Sequence, residues 1–398
     1  MNSNIYDIVI IGGGASGLMA AHSASLRDPN ARIAIAEKND KPAKKIYATG
    51  NGRCNLLNIK AKVADFSSAS GGSEFIEKVF EICGPAEVLK LAESLGICPV
   101  EEDLGRMYPR SGQAASVVKA LAEGAKNADI LTGFEVKTAE KTDKGFFRIV
   151  STDGKMLKSK KLVIAGGGKA GIQFGTDGRC FKLAEAFGHK VSRPIPALTG
   201  MLCSETEALA GVRAKAKASL YAVYEEGKKF LAESEGEVQF NKDSISGICV
   251  MDLSGKLRRA GEKGFELELD FFPEMAEKEF GEMLEMRKNK LGSARLEDLV
   301  PEKLAVFLAE ADKKSPKGTH AKAKTAKFKI DGSKGWPDAQ VTSGGVFTDE
   351  VDAESMESKI CENLYFAGEV LDVDGPCGGY NLTWAFASGW IAGQAAAQ

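Results

Sequence analysis

The sequence predicts an α/β fold in which one domain is built from the two ends of the chain, around an inserted β-rich segment that carries helices. Three observations predict it. A strand, a glycine turn, a helix and a second strand follow one another at the N-terminus. Glycine makes up 44 of 398 residues, above the average of about 7%, and it clusters towards both ends. Between those ends lies a stretch rich in Glu, Lys, Leu and Met at helical spacing, where glycine is sparse.

The elements follow in order. Tyr6 to Ile11 is an apolar, β-branched run, the pattern of a buried parallel strand. Gly12 to Gly17 forms the turn, and Leu18 to Leu26 has helical composition. Arg32 to Ala36 is the second strand, closed by Glu37. Helical spacing returns from Glu74 to Leu95 and from Ala114 to Ala125. Short alternating strands run from Leu131 to Val163, and β-like segments with glycine turns from Val212 to Met251. Pro273 to Ala311 reads as a separate helical subdomain. Seven lysines with Pro316 and Gly318 make Lys313 to Lys329 an exposed linker. Glycine then returns in VTSGGV, LYFAGEVLDVDG and GGYNLTWAFASGWIAG, the last opening a small-residue helix that ends at Gln398. The expected domains are 1–190 with 338–398, a β-rich insertion at 191–272 with 326–337, and the helical subdomain at 273–325.

Composition excludes several classes. With 43% hydrophobic and 27% charged residues, the chain is neither disordered nor fibrous. A net charge of −2 argues against a nucleic-acid binder that works by overall basicity. The 8 cysteines stand singly, with no CxxC pair, and the 3 histidines lie far apart, so no metal site is expected. No basic leader precedes an apolar segment, and no apolar run reaches the ~18 residues of a membrane span. The expectation is a cytoplasmic protein with no membrane partner and a small-molecule substrate. Oligomeric state is not legible.

The turn reads Gly12-x-Gly14-x-x-Gly17, with Glu37 about twenty residues further on. Gly12 permits the tight turn, Gly14 lets backbone approach a pyrophosphate, and Gly17 allows close helix–strand packing. The helix N-terminus offers N–H groups and partial positive charge to phosphates. Glu37 suits both ribose hydroxyls and would repel a 2′-phosphate. This unit alone does not separate NAD from FAD. FAD is longer than one βαβ unit and needs further contacts, for which three clusters qualify: Thr49 to Asn55 (TGNGRCN), Gly166 to Gly171 after the strand LVIA, and Gly368-Glu369 with Gly379 to Asn381 at the start of the last helix. Gly166-Gly167-Gly168-Lys169-Ala170-Gly171 also fits GxGxxG and so admits a second, nicotinamide-binding unit. No strand ending in an acid or Arg follows it at the required distance, which favours a return of the chain to the first domain.

The segments IVIIGGGASGLMAA, ATGNGRCNLLN, GRMYPRSGQA, AFGHKVSRPIPAL, QVTSGGV, MESK and LYFAGEVLDVDGPCGGYNLTWAFASG resemble the BaiN-like (YhiN-type) FAD-binding oxidoreductases, in colinear order from end to end. The resemblance implies a glutathione-reductase/fumarate-reductase-like FAD-binding Rossmann domain with a β-rich insertion. It implies FAD contacts at Gly12, Gly14, Ala15, Ser16, Gly17, Glu37 and Lys38, and at Asn51, Gly52, Arg53, Cys54 and Asn55. Further contacts are expected at Val136, Ala165, Gly166 and Gly167, and at Gly368, Glu369, Gly379, Tyr380, Asn381 and Leu382. Within the family one activity is NAD(P)H-linked reduction of conjugated C=C bonds in 3-oxo bile-acid intermediates; another is oxidation of small amines such as aminoacetone. The chain departs from the family's Phe-Thr-His and Ile-Ser-Gly-Pro stretches, having Phe240-Asn241-Lys242 and Ile245-Ser246-Gly247-Ile248, which weakens transfer of a particular substrate.

The expected function is therefore an FAD-dependent reductase of a conjugated C=C bond, with NADH or NADPH as transient donor. The alternatives are an FAD-dependent amine oxidase and a flavin-bearing RNA- or protein-interaction module. Enone reduction needs a polarised carbonyl and a proton donor, for which Tyr108, Arg110, Arg179 and Tyr380 are the candidates. Phosphate contact or packing is the competing role for each. Cys54 and Cys377 have no cysteine partner a few residues away and read as small packed residues. Asp372 and Asp374 either orient neighbours or lie in a solvated loop. The lysines of 313–329 could dock NADPH phosphate or RNA, but a solvated linker is the better reading, since no aromatic platform interleaves with them.

Overall fold

The computed structural model describes the chain except residues 1–4, 258–263, 292–295, 297 and 313–318. Contacts divide it into two units, Met1–Ile195 with Val341–Gln398, and Pro196–Gln340.

In the first unit, strand Tyr6–Ile11 lies parallel between Ile33–Glu37 and Met156–Ile164, so Ile10 has Ile35 on one side and Val163 on the other. Asp129–Thr132 extends the parallel sheet beyond Ile33–Glu37. Met156–Ile164 is shared along its length. Its C-terminal half takes the parallel strand Leu364–Phe366, from the far end of the chain, and its N-terminal half takes the antiparallel strand Phe147–Ser151, which pairs with Val136–Lys141. Strands buried this deeply read as continuous apolar runs, as IVII and LVI do.

Helix Ala15–Arg27 returns between the first two strands and packs on the last helix, Tyr380–Ala396. Both present small residues to the contact. A Cβ on Gly389 would lie 2.4 Å from the Ser16 carbonyl oxygen, and one on Gly393 would lie 2.2 Å from that of Ala20. Ser23 Oγ donates to the Trp390 carbonyl at 2.7 Å, and Gln394 Nε2 donates to the Ser23 carbonyl at 2.9 Å. A small antiparallel sheet, ordered Leu57–Asn58, Arg106–Pro109, Pro99–Glu102, sets Asn58 opposite Arg106.

His189 is buried where Glu350 and Ser358 meet it. Ser358 Oγ accepts the Ile360 and Cys361 N–H groups, so its own hydrogen goes to His189 Nε2 at 2.7 Å, and Nδ1–H donates to Glu350 at 3.1 Å. The imidazole is thereby held neutral, on the edge of the Phe366 ring.

The second unit is a seven-stranded sheet. Its order is Ala326–Ile330, Gly264–Asp270, Arg213–Tyr224, Gly227–Phe240, Ser244–Ser246, Met201–Leu202, Gly332–Ser333. Period-two alternation builds it: Ala216, Ala218, Leu220 and Ala222 are buried, while Lys217, Ser219 and Tyr221 face the other way. Phe280, Leu284, Leu304 and Leu308 of helices Glu277–Leu291 and Glu302–Asp312 enter the same core as Leu267 and Phe328. The helical segment thus shares the sheet's core.

The lysine-rich linker expected at 313–329 needs correction over its described part; residues 313–318 lie outside it. Thr319–Lys324 is a helix and Ala326–Ile330 an edge strand. Ala326, Phe328 and Ile330 point inward, so the lysines at 327 and 329 are the outer half of an alternation that their number disguised. Lys324 Nζ reaches Asp270 at 2.7 Å and two backbone carbonyls at 2.6 Å. Among the described residues, no helix is long and apolar enough to cross a membrane.

Candidate functional site

The glycine turn after the first strand is built around contacts that exclude any side chain. Gly12 has φ +102°, and a Cβ there would lie 2.5 Å from Gly166 Cα. A Cβ on Gly17 would lie 1.9 Å from the Gly12 carbonyl oxygen. Gly14 differs: a Cβ there would meet nothing within 4 Å. Gly14 is the N-cap of helix Ala15–Arg27 and supplies no side-chain cap. Space is therefore open beside the uncapped N-terminus of this helix, with the helix dipole behind it. That is a cradle for a pyrophosphate.

The second glycine run does not open a helix. A short 3₁₀ turn, Ile172–Phe174, follows it, and the N–H groups of Lys169 and Ala170 donate to Thr342 Oγ1 at 2.8 and 2.9 Å. Ala165 N–H donates to the Ile11 carbonyl, so this turn abuts the first in one sheet. The chain returns to the first domain here, with no second nucleotide-binding βαβ unit.

At the end of the second strand, Glu37 is buried at 6% exposure. Its Oε2 accepts the Gly13 N–H at 2.7 Å and its Oε1 the Asn39 N–H at 2.8 Å. These bonds aim the carboxylate and leave each oxygen a further lone pair for a ribose hydroxyl. Phe134 N–H donates to the Glu37 carbonyl, which brings Glu135 and Val136 to the same end. Lys38 pairs there with Asp177 at 2.9 Å. Arg179 pairs with Glu135 at 2.9 Å and Asp177 at 3.4 Å, and donates to the Val136 carbonyl. Burial works against the Asp177 carboxylate, yet these cations hold it below its ordinary range. Arg179 belongs to this network at the Glu37 end. There its charge is matched by two carboxylates.

The other end is formed by TGNGRCN and the start of the last helix. Gly50, Asn51, Gly52 and Cys54 all have positive φ, which curls successive N–H groups inward as in an anion-binding nest. Arg53 pairs with Glu102 and stacks over the Tyr108 ring at 4.2 Å. Cys54 is fully buried, which pushes its thiol up to about 11. The thiolate that nucleophilic chemistry requires is therefore suppressed. Cys377 is half-buried.

Gly379, the N-cap of the last helix, has φ +95° and sits against Leu57 and Asn55. Asn55 is 8% exposed, and its Oδ1 is buried without a hydrogen-bond partner. An orphaned acceptor beside an uncapped helix N-terminus fits a flavin ring edge. Tyr380 meets Phe66 edge-on at 6.0 Å. Asn381 clamps the preceding loop: its Nδ2 donates to the Gly375 carbonyl at 2.8 Å and its Oδ1 accepts the Gly375 N–H at 2.9 Å. Leu382 is half-buried beside it. Gly368 leaves no room for a side chain against Ser16 Oγ, at 2.5 Å. Glu369 accepts the Thr342 N–H at 2.7 Å and pairs with Lys45 at 2.7 Å. Asp372 and Asp374 are buried and bonded to Ser70 N–H and Ser343 Oγ. They orient neighbours.

Three residues at this site went unread in the sequence: Lys45, Thr342 and Arg106. Lys45 stands in PAKKIYA and Arg106 in GRMYPR, where single cations carry no signal. Arg110 is exposed, whereas Arg106, four residues earlier on the same strand segment, is half-buried.

The model of the family described as HI0933-like protein Rossmann domain matches residues 6–395. The 3-dehydro-bile acid delta(4,6)-reductase of Clostridium scindens is 36% identical and covers 98% of this chain and 99% of its own. The ribosomal RNA dihydrouridine synthase of Escherichia coli is 26% identical, covering 98% and 97%. A quinol-fumarate reductase structure superposes with a TM-score of 0.51 at 17% identity, covering 100% of this chain and 71% of its own, which establishes the shared fold.

Proposed function

Since this chain belongs to the HI0933-like Rossmann family, we propose that it is an FAD-dependent reductase of a C=C bond conjugated to a carbonyl, drawing on NADH or NADPH. The observation that carries this is the whole-length likeness to a named C=C reductase. Bound FAD supplies hydride chemistry that no side chain provides. The chain's residues hold and orient it. The N–H groups after Gly14 take the pyrophosphate, Glu37 the adenosine ribose, Glu369 with Lys45 the middle of the cofactor, and Asn55 with the Gly379 end of the last helix the ring.

The two curated relatives share a chemistry. A Δ4,6-3-ketone and a uracil ring each place the reducible bond next to a carbonyl. A small-molecule substrate is the reading we favour over RNA. On the sheet of the second unit, Lys217 pairs with Glu233, Lys327 with Glu268, and Lys228 with Glu266 and Glu268. Polyphosphate binding draws on cations that are not already matched.

Anaerobic mixing with NADH and NADPH tests the proposal: one of them bleaches the bound flavin, and testosterone, a 3-oxo-4-ene steroid, restores its colour. Bleaching by aminoacetone with no response to either nucleotide would overturn it in favour of an amine oxidase. Colour restored by a uridine-containing ribosomal RNA fragment and not by the steroid would shift the substrate to RNA.

A further inference from the structure

We propose that Arg106 is the group that binds the carbonyl oxygen of the substrate; the assignment rests on the reductase reading above. Arg106 opens the strand Arg106–Pro109, opposite Asn58. Asn58 is spent on structure: its Nδ2 donates to the Leu104 and Gly378 carbonyls, and its Oδ1 accepts the Lys60 N–H. These bonds bind the strand pair to the loop before the last helix and bring the Arg106 side chain over it. A Cβ on Gly378 would lie 3.3 Å from Arg106 Nε and 3.5 Å from Tyr380 Cε2.

Arg106 is half-buried, and among the described residues its guanidinium has no hydrogen-bond or ion-pair partner. The other arginines named above differ. Arg53 is engaged by Glu102, Arg179 by Glu135 and Asp177, and Arg110 is exposed. A planar cation placed without a counter-charge, beside the positive end of a seventeen-residue helix (17 residues, Tyr380–Ala396), attracts negative charge. A further feature marks the same spot. Phe66 and Tyr380, edge to face at 6.0 Å, give the loop an aromatic wall. Cation and aromatic wall together suit a flat apolar ketone.

The chemistry requires such a cation. When a hydride equivalent from reduced flavin forms the new C–H bond at the β-carbon, the C=C π bond breaks. Its electron pair moves towards the carbonyl, leaving an enolate oxygen. Arg106 neutralises that oxygen through charge-assisted hydrogen bonds, and a proton from solvent water then adds at the α-carbon. NAD(P)H restores the flavin.

The test uses FAD-loaded protein, titrated with 2-cyclohexen-1-one, testosterone and uridine while the flavin absorbance is followed. In wild type at least one ligand perturbs the spectrum. R106Q weakens that binding by about tenfold to a hundredfold, the loss of one or two charge-assisted bonds, and R106K restores part of it. Flavin content and reduction potential stay at wild-type values in R106Q. Equal ligand binding by wild type and R106Q overturns the assignment. So does a loss confined to R110A, or a lowered flavin potential in R106Q with ligand binding intact, which would place Arg106 on the flavin. If the wild type responds to none of the three ligands, the reductase reading fails and this assignment falls with it.

Discussion

Replacing Gly393 with alanine tests how the last helix is held. The new methyl would lie 2.2 Å from the Ala20 carbonyl oxygen, 2.8 Å from Ser23 Cβ and 2.9 Å from the Ala20 carbonyl carbon. Ordinary Cβ contacts begin near 3.4 Å, so the helices must separate by about 1 Å at this point. Overpacking of this kind costs about 1–3 kcal/mol. The separation also strains the bonds from Ser23 to Trp390 and from Gln394 to Ser23, at roughly 1 kcal/mol each. The expected loss is about 3–5 kcal/mol, a large part of a domain's usual stability of about 5–15 kcal/mol. Urea unfolding followed by circular dichroism measures it. Gly281→Ala is the comparison: a Cβ there meets nothing within 4 Å, so the change is stabilising by about 0.5–1 kcal/mol. A Gly393→Ala midpoint within error of wild type would refute the steric argument.

Three further outcomes are expected. Lys45→Met leaves Glu369 without its cation and weakens FAD retention about tenfold, ~1.4 kcal/mol, read by fluorescence titration of the apoprotein. Burial depresses the His189 pKa against the pull of Glu350, so the unfolded chain binds the proton more readily than the folded one. Stability therefore declines as pH falls below about 6.5, and His189→Gln flattens that slope in urea midpoints taken between about pH 5 and 7.5. Among the thiols, exposed Cys98 reacts first with Ellman's reagent, and Cys98→Ser removes the fast phase. Burial pushes Cys54 up to about 11 and Cys180 up to about 12, so both react only on unfolding.

The parts of the fold written in local pattern were legible. Tyr6 to Glu37 carries its strand, turn, helix and acid within one short stretch, and the glycines near residue 368 announce close approaches that the last helix needs. The helical middle was legible as helix, but its sharing of one core with the sheet was not, because that depends on which faces of Phe280 and Leu308 meet Phe328. Lysine count hid the strand Ala326–Ile330, whose apolar half is only three residues. At the site, glycine positions pointed to the cradle, whereas the cations did not sort themselves. Arg106, Tyr108 and Arg110 alternate along one segment, and only the pairing of Asn58 with the loop at Gly378 decides which of them is drawn in. Arg179 looked equally available until Glu135, far away in sequence, took its charge.

The packing of Ala15–Arg27 against Tyr380–Ala396 also sets an order of events during synthesis. The dinucleotide turn leaves the ribosome early, but the surface of Ser16, Ala20 and Ser23 waits for partners more than 350 positions later. Until then the nascent chain carries the glycine turn and its helix without the helix that packs on them.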